Sequence, residues 1–515
     1  MKEETIHQYG ENSFRLYRLP AIKKGETIGI LGRNGIGKST TINILSGIIV
    51  PNFGNYDKNG DKDEVIEHFR GTVYGSYFKD LYAGRIKIAY KPQYVDSIPK
   101  IYKGKVKDYI ESIQGKRKDE VIQMMRIEKI LNRNIEELSG GELQSLAISV
   151  TLMKDADLYF FDEPSSYLDI KQRLEFAKII KDLSQKAQVY VVEHDLAIMD
   201  FLADTVHIVY GSEGAYGIIS KPLTTNHAIN SYLSGFLKEE NVRIRDWEIK
   251  FIVHPPSIDK SLEKLIEWSD LTKKFENFSL NVSSGKLLKG EVVGVVGENA
   301  TGKTTFVKML AGVINPDSGK IDSNIKVSYK PQYIRFDESI TVNDLFNKYA
   351  KSALDDPFFK NEIWEPFNLN SLMERDVMNL AGGELQKVAI SLCFGRDADV
   401  FLLDEPSAYL DSAERMTAAK IIRRFIEKTK KTALVVDHDI YFIDLISDSL
   451  MTFEGEPGIS GIGTGPYNMR DGMNRFLKNV DITFRRDDKT KRPRINKPGS
   501  YNDREQKARG EYYYL

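Results

Sequence analysis

Two glycine-rich strings have the spacing of a phosphate-binding loop. GRNGIGKS begins at residue 32 and GENATGKT at residue 297, and each follows an apolar run and opens a helical pattern. That context favours a loop whose backbone N–H groups surround phosphates at a helix N-terminus. The predicted phosphate contacts are Gly32, Asn34, Gly35, Gly37, Lys38, Ser39 and Thr40 in the first loop, and Gly297, Asn299, Gly302, Lys303, Thr304 and Thr305 in the second.

Acidic pairs end two apolar runs, with DE following LYFF at 162–163 and VFLL at 404–405. Downstream of a phosphate loop, the first acid of each pair is predicted to bind Mg²⁺ through water, and the second to activate or orient the attacking water. The predicted metal-binding residues are therefore Ser39, Thr304, Asp162 and Asp404, and the predicted catalytic residues include Glu163 and Glu405. His194 and His438 each follow a further apolar run, and this recurrence favours a γ-phosphate contact over a structural role.

A third recurring string reads LSGGELQ at 138–144 and LAGGELQ at 380–386. Ser139 with Glu142 three residues later predicts a capping box. The paired glycines leave N–H groups uncovered at a helix N-terminus, where a γ-phosphate presented by another surface can bind. The predicted nucleotide contacts here are Ser139, Gly140, Gly141, Ala381, Gly382 and Gly383.

These motifs occur twice in one order, so the chain is a tandem duplication of a domain of about 240 residues. The interval from the LxGGELQ leucine to the DE aspartate is 24 positions in both copies. The interval from lysine to glutamine differs, being 55 positions from Lys38 to Gln93 and 29 from Lys303 to Gln332. The predicted organisation is domain one at 1–235 with a helix–loop–helix insert at about 60–87, a hinge at 236–262, domain two at 263–480, and a basic C-terminal hinge or tail at 481–515.

Composition excludes several classes. The chain has 515 residues with a net charge of −1, so a generally basic nucleic-acid coat is not expected. No apolar run reaches the roughly 18 residues of a membrane span, and the charged start does not resemble a secretory signal. The single cysteine, Cys393, excludes an internal disulfide or a four-cysteine metal site. A reduced, cytoplasmic setting is the natural interpretation.

The ordered set of phosphate loop, glutamine, LxGGELQ, strand-DE and histidine resembles the ATP-binding-cassette (ABC) ATPases. This resemblance implies an α/β fold of two tandem nucleotide-binding domains of the P-loop type with helical subdomains, arranged head to tail and joined by hinge segments. Each ATP is expected between the phosphate loop of one domain and the LxGGELQ of the other, so Ala381 would face the nucleotide of Lys38. Further residues implied are Gln93 and Gln332 at Mg²⁺ and water, Asp169 and Asp411 at the interface, and Tyr9, Phe14 and Phe275 at the adenine.

Within the ABC ATPases the chain is similar to subfamily E, the archaeal and eukaryotic ribosome-recycling ATPases (RNase L inhibitor family). The supporting strings include KPQYVDSIPK, DEPSSYLDIKQR and RPRINKPGSYNDREQKARGEYYY. The resemblance implies a monomer that hydrolyses ATP with Mg²⁺, binds the small ribosomal subunit, meets release-factor-like partners, does not bind membranes, and splits ribosomes through ATP-dependent closure. That family also carries a cysteine-rich domain with iron–sulfur clusters, which this chain's one cysteine cannot supply, so activities of that domain are not expected.

Alternatives share the same cassettes. An ATPase subunit of a membrane transporter would lack the insert and the tail, and a subfamily F translation factor would have a long charged linker. A DNA-repair or chromosome-organising ATPase would need long coiled coils or zinc modules.

Two residues of the motifs are unusual: Ala381 replaces the serine of the first copy, and Ala300 stands where glycine is usual in the loop.

Overall fold

The computed structural model describes residues 4–95, 97–251, 263–322, 325–334, 336 and 338–513. The chain forms two compact units, one of Met1–Leu168 with Gln172–Ile249 and one of Asp169–Lys171 with Lys250–Leu515. Residues 252–262 of the predicted hinge and 514–515 of the predicted tail lie outside the described residues. Among the described helices, none combines the length and apolar character that crossing a membrane requires.

The first half of the chain alternates strands and helices. Its strands are β1 (Thr5–Gln8), β2 (Arg15–Tyr17), β3 (Thr27–Leu31), β4 (Ile88–Lys91), β5 (Leu158–Asp162), β6 (Gln188–Val192), β7 (Thr205–Ser212), β8 (Tyr216–Ile219), β9 (Leu223–Thr224), β10 (Phe236–Leu237) and β11 (Val242–Arg243). Its helices are α1 (Lys38–Leu45), α2 (Lys62–His68), α3 (Val73–Tyr82), α4 (Ile98–Ile101), α5 (Val106–Ser112), α6 (Lys118–Met124), α7 (Gly140–Met153), α8 (Ile170–Ser184), α9 (Leu196–Leu202) and α10 (Thr225–Ser234).

The second half repeats this plan. Its strands are β12 (Lys264–Trp268), β13 (Leu271–Lys274), β14 (Ser279–Val282), β15 (Gly285–Leu288), β16 (Val292–Gly297), β17 (Val327–Lys330), β18 (Val400–Asp404), β19 (Thr432–Val436), β20 (Ser449–Glu456), β21 (Ser460–Asn468), β22 (Phe484–Arg486) and β23 (Pro493–Ile495). Its helices are α11 (Lys303–Leu310), α12 (Val342–Tyr349), α13 (Lys351–Asp355), α14 (Pro357–Phe359), α15 (Gly382–Phe394), α16 (Ser412–Thr429), α17 (Ile440–Ile446), α18 (Met469–Asn479) and α19 (Tyr501–Arg509).

The main sheets of the two halves have the same strand order. The first runs β1-β2-β8-β7-β3-β6-β5-β4, with β9 beside β7, and the second runs β13-β14-β21-β20-β16-β19-β18-β17. Strands β4, β5, β6, β3 and β7 pair in parallel, as do β17, β18, β19, β16 and β20. The central strands are continuous apolar runs buried on both faces, as expected of parallel strands covered by helices. The prediction of a duplicated α/β fold is confirmed.

This topology gathers the predicted motifs. The phosphate loop follows β3, the glutamine follows β4, the acidic pair ends β5 and begins the next turn, and the histidine follows β6. Carboxyl ends of parallel strands meet at one edge of a sheet, where ligands of open α/β folds bind. The corresponding motifs follow β16, β17, β18 and β19 in the second half.

Helices α2 and α3 lie in the segment that has no counterpart in the second half. Their aromatic side chains pack together and onto the rest of the unit, because Tyr74 donates to the carbonyl of Leu19 at 3.0 Å and Tyr77 donates to that of Leu45. Phe78 is fully buried and stacks near Phe69. These rings therefore anchor the insert to its cassette.

The C-terminal module, residues 481–513, consists of β22, β23 and α19. Two of its basic residues are internal. The Arg486 guanidinium forms a bidentate ion pair with Asp444 of α17 at 2.7 and 2.8 Å, and the fully buried Arg492 donates to the Tyr441 hydroxyl at 2.9 Å. Lys489, Lys491 and Lys497 remain exposed.

Candidate nucleotide-binding sites

The first phosphate loop encloses the side chain of Lys38. Gly37 has φ 95°, a conformation that favours glycine, and α1 begins at the next residue. A Cβ at Gly37 would lie 2.5 Å from Cζ of Phe14, so the aromatic ring packs directly on the loop. The Lys38 ammonium donates to the carbonyls of Gly32 at 3.0 Å and Arg33 at 2.6 Å. A cation and helix-end amides thus converge inside one loop, as phosphate binding requires.

The second phosphate loop has the same geometry. Gly302 has φ 96°, and the Lys303 ammonium donates to the carbonyls of Gly297 at 2.9 Å and Glu298 at 2.6 Å. Burial lowers the pKa of Lys303 from its ordinary value, against the opposing fields of nearby carboxylates. Ala300 adopts φ 59°, so alanine accepts the left-handed backbone that Gly35 has at 69°.

The two aspartates predicted at Mg²⁺ are buried at the carboxyl ends of β5 and β18. Asp162 is buried and accepts a hydrogen bond from the Ser39 hydroxyl at 3.2 Å. Asp404 is fully buried, and neither carboxylate oxygen has a hydrogen-bond donor among the described residues. Burial, reinforced by the adjacent glutamate, raises the pKa of each aspartate to about 6. A buried carboxylate without donors is costly, and a bound cation would remove that cost. The chemistry of the donors therefore fits magnesium.

In the first unit, the predicted catalytic glutamate contacts two other predicted site residues, a glutamine and a histidine. Glu163 Oε1 accepts from Gln93 Nε2 at 2.7 Å and lies 3.2 Å from His194 Nε2. Its backbone has φ 47°, a left-handed conformation that is rare for this residue type. The carboxylate of Glu163 is thus held between the ends of β4 and β6.

The second unit reproduces this arrangement around Glu405. Oε1 accepts from Gln332 Nε2 at 2.7 Å and lies 3.5 Å from His438 Nε2, and φ is 49°. Burial alone would raise the pKa of Glu405, but His438, Lys303 and Gln332 together lower it to about 2. Glu405 is therefore ionised at neutral pH and able to accept a hydrogen bond from water.

The LxGGELQ strings begin α7 and α15. Ser139 forms a complete capping box, because the Glu142 amide donates to its Oγ at 3.4 Å and its own amide donates to Glu142 at 2.8 Å. Ala381 keeps only the second half of this box, with its amide donating to Glu384 at 2.9 Å. The pairing of each string with the opposite phosphate loop stays a prediction.

The aromatic residues predicted at the adenine lie beside the loops. The Tyr9 hydroxyl is 3.1 Å from Oγ1 of Thr40, and its ring is half exposed. In the second unit the exposed Phe275 accompanies Phe278, whose Cζ would lie 3.1 Å from a Cβ at Gly302. Phe278 therefore occupies the place that Phe14 has in the first unit. Sequence reasoning missed it, although the pairs YGENSF and FENF both precede their phosphate loops.

The two aspartates predicted at the domain interface have different local roles. Asp411 caps α16 and accepts from the Glu414 amide at 2.9 Å. Asp169 groups with the second unit, where its carboxylate accepts from the Asn299 amide at 2.8 Å.

Further residues that the motif analysis did not single out hold the acidic turns. The ammonium groups of Lys91 and Lys330, both fully buried, donate to carbonyls of these turns. The buried carboxylates of Glu193 and Asp437 accept from the hydroxyls of Ser165 and Ser407, respectively. The sequence does mark these residues by repetition, because YKPQY occurs in both copies and an acid precedes each HD dipeptide.

Comparison with known proteins agrees with this geometry. The profile of the ABC transporter family matches residues 20–166 and 280–408. An uncharacterized ABC transporter ATP-binding protein of Methanocaldococcus jannaschii is 48% identical over all of this chain and 85% of its own length. The ABC transporter E family member 1 of Arabidopsis thaliana is 41% identical over all of this chain and 87% of its own length.

The structural comparison extends over the same length. The archaeal ribosome recycling factor aABCE1, solved in a complex with the archaeal ribosomal stalk protein aP1, superimposes with a TM-score of 0.94 at 50% identity, covering all of both chains. Two cassettes with paired phosphate loops and acidic turns, together with full-length relatives, identify an ATP hydrolase. The chain belongs to the ABC ATPases and, within them, to subfamily E.

Proposed function

We propose that this ATPase acts in translation in the cytoplasm, where it binds the small ribosomal subunit and drives ribosome recycling through ATP-dependent closure. One observation supports this most directly: the similarity to an archaeal ribosome recycling factor spans the entire chain at 50% identity. It therefore includes the α2–α3 insert and the C-terminal module as well as the cassettes. Release-factor-like proteins are the expected partners in the same reaction.

The site geometry suggests how the substrate ATP would be held. Lys38 and Lys303 now donate to neutral carbonyls of their own loops. Phosphate oxygens are stronger, charged acceptors, so we expect each ammonium to exchange its carbonyl partners for the β- and γ-phosphates. The N–H groups at the starts of α1 and α11 would bind the same phosphates.

The metal and the water would have separate ligands. Ser39 with Asp162, and Thr304 with Asp404, would hold Mg²⁺, which when bound neutralises charge on the phosphate oxygens. Glu163 and Glu405 would accept a hydrogen bond from the attacking water. Their Oε1 atoms are fixed by Gln93 and Gln332 on one side and by the histidines on the other. A fixed acceptor orients the water without reorganisation during the reaction.

Sedimentation with purified small ribosomal subunits tests the proposal. The full chain is incubated with subunits alone, with ATP, or with a non-hydrolysable ATP analogue. The analogue is expected to increase the fraction that co-sediments, because it holds the ATP-bound state. The matched control, Lys38→Ala with Lys303→Ala, should lose this increase because phosphate binding is lost.

A parallel tube contains lipid vesicles in place of subunits. Equal or stronger association with vesicles, or no association with subunits in any nucleotide state, would contradict a role in recycling.

The exposed lysines of the C-terminal module offer a second readout. Lys489, Lys491 and Lys497 can neutralise RNA phosphates, which makes binding depend on salt. Replacing Lys489 and Lys491 by glutamine should lower the slope of log affinity against log salt by roughly two. Lys87→Gln, at an exposed position before β4, serves as the control for charge alone. An unchanged slope would exclude RNA contact by this module.

A further inference from the structure

Each cassette buries a lysine at the end of the strand that leads to the glutamine. Lys91 ends β4 and Lys330 ends β17, and their side chains are 0% and 1% exposed. Among the described residues, neither ammonium forms a salt bridge with a carboxylate. Burying an ammonium without a paired anion is unfavourable, yet the fold does so at the same place in both cassettes.

The partners of these ammonium groups are main-chain carbonyls of the acidic turn. Lys91 Nζ donates to the carbonyl of Asp162 at 2.9 Å and to that of Glu163 at 3.4 Å. Lys330 Nζ donates to the carbonyls of Asp404 at 2.7 Å and Glu405 at 3.1 Å. In both cases one ammonium binds the peptide groups on either side of the glutamate Cα.

Those two peptide groups define the backbone conformation of the glutamate. Glu163 and Glu405 have φ 47° and 49°, values that persist in proteins only where the surrounding structure imposes them. Two carbonyls drawn toward one cation fix both peptide planes, and with them the direction in which the side chain leaves the backbone. The glutamate amides are held separately, by the carbonyls of Val192 and Val436 at 2.9 and 2.8 Å.

A second side chain binds the same turn from the LxGGELQ helix. Gln144 Nε2 donates to the carbonyls of Glu163 at 2.9 Å and Pro164 at 2.8 Å. Gln386 Nε2 donates to the carbonyl of Glu405 at 3.4 Å. The turn is thus anchored by side chains from two directions, and the lysine is the charged anchor.

We propose that Lys91 and Lys330 are positioning residues for ATP hydrolysis, which hold the turn so that Glu163 and Glu405 aim at the attacking water. Neither lysine contacts the reacting atoms; each acts through the glutamate of its own turn. The inference rests on the role given above to those glutamates. A displacement of about 1 Å at such a group costs on the order of a hundredfold in rate.

The test uses the full chain with both cassettes changed together. Lys91→Met with Lys330→Met keeps unbranched side chains that are only one atom shorter and removes the donors. The kcat for ATP is expected to fall by about 30- to 100-fold, while KM and the dissociation constant for ATP change less than about threefold, because the phosphate loops are intact. The control, Lys87→Met with Lys326→Met, changes exposed lysines that precede the same strands and should leave kcat unchanged.

A double-mutant cycle separates positioning from a general structural loss. In the background of Glu163→Gln with Glu405→Gln, the lysine changes should cost no further activity, because the group through which they act is absent. Losses that multiply, or a kcat unchanged by the lysine changes alone, would overturn the proposal. If the glutamine pair itself leaves turnover intact, the role given to the glutamates fails instead.

The cycle has a second arm, in case the lysine-to-methionine variants do not fold. Gln144→Met with Gln386→Met removes the other donors to the turn and should lower kcat about 3- to 10-fold with KM unchanged, again without a further effect in the glutamate-to-glutamine background. Full kcat in this arm would overturn the view that the turn needs its side-chain donors.

Discussion

The two cassettes agree closely around the predicted catalytic glutamates and differ at three positions farther from them. The glutamate φ angles differ by about two degrees, and the glutamine–glutamate hydrogen bonds are both 2.7 Å. By contrast, the capping serine, the loop glycine and the environment of a buried acid all change between the copies. The two copies thus share the geometry of the acidic turns and differ at these three positions. Substitutions at corresponding positions of the two copies test these similarities and differences.

The largest expected effect is at the glutamates. Glu163→Gln or Glu405→Gln removes the negative charge and replaces one acceptor oxygen by an NH₂ group, and each change should lower turnover at its own site by about 10²- to 10³-fold. Because the two geometries are so similar, the single variants should lose similar amounts in single-turnover ATP hydrolysis, and the double variant should trap bound ATP. A tenfold inequality between the single variants would show that equal geometry does not give equal chemistry.

How far the sequence predicted these sites depends on the kind of contact. The phosphate loops, acidic pairs and histidines could be placed because each follows a buried parallel strand, and such strands end at one edge of a sheet. The partners of Lys91 could not be predicted, since a lysine in a short strand more often points to solvent. Its partners are carbonyls 71 and 72 positions away in the chain.

In the insert and the C-terminal module, too, the sequence predicts the character of a segment but not its individual contacts. The aromatic residues of the insert fit either burial between its two helices or stacking on RNA bases, and the sequence favours burial. The sequence does not predict that the hydroxyls of Tyr74 and Tyr77 donate to carbonyls elsewhere in the cassette. On composition alone, the seven basic residues from Arg485 to Lys497 fit a solvated tail, and the resemblance to a hinge region predicts a mixed role of bracing the cassettes and contacting ribosomal RNA. In the structure Arg486 and Arg492 bind inward to α17, which the composition of the segment does not predict. Charge and periodicity describe a segment, whereas these contacts depend on the tertiary fold.

The second largest effect concerns the pH dependence of stability. Glu291, just before β16, is 3% exposed, whereas its counterpart Glu26 before β3 has a side chain that is 34% exposed and lies beside Lys23. Burial raises the pKa of Glu291 to about 7, with Asp448 adding to the shift. Because the folded-state pKa exceeds the unfolded value, the protonated acid stabilises the fold below about pH 4.5, and this contribution is lost as pH rises through 7.

Glu291→Gln should therefore stabilise the second cassette at pH 8 by up to about 3 kcal/mol and change little at pH 4.5. Hydrogen exchange of the β16 amides at several pH values measures this locally. Glu26→Gln is the matched control and should show a smaller dependence on pH. Equal responses of the two variants, or a destabilised Glu291→Gln at pH 8, would contradict a raised pKa of Glu291.

A smaller effect is expected at the helix caps. Ser139→Ala removes the acceptor for the Glu142 amide and should destabilise the start of α7 by about 1 kcal/mol. Ala381→Ser supplies the missing acceptor at α15, where Glu384 already receives the Ala381 amide, and should gain a similar amount. Exchange rates of the first-turn amides report both changes. The comparison fails if Ala381→Ser leaves the α15 amides as exposed to exchange as before.

The smallest effect is expected at the phosphate loops. Ala300 has φ 59°, so Ala300→Gly should relieve a strain of about 1 kcal/mol or less, offset in part by the greater freedom of glycine in the unfolded chain. Gly35→Ala is the reverse change, and its Cβ would also lie 2.7 Å from Cγ of Glu213. The second copy has Pro457 at the position of Glu213, so the alanine there does not face the same long side chain.

Thermal unfolding should therefore show a loss of stability for Gly35→Ala that exceeds the gain of stability for Ala300→Gly. Combining Gly35→Ala with Glu213→Ala should recover part of that loss. If removing Glu213 recovers nothing, the backbone conformation alone accounts for the difference between the two loops.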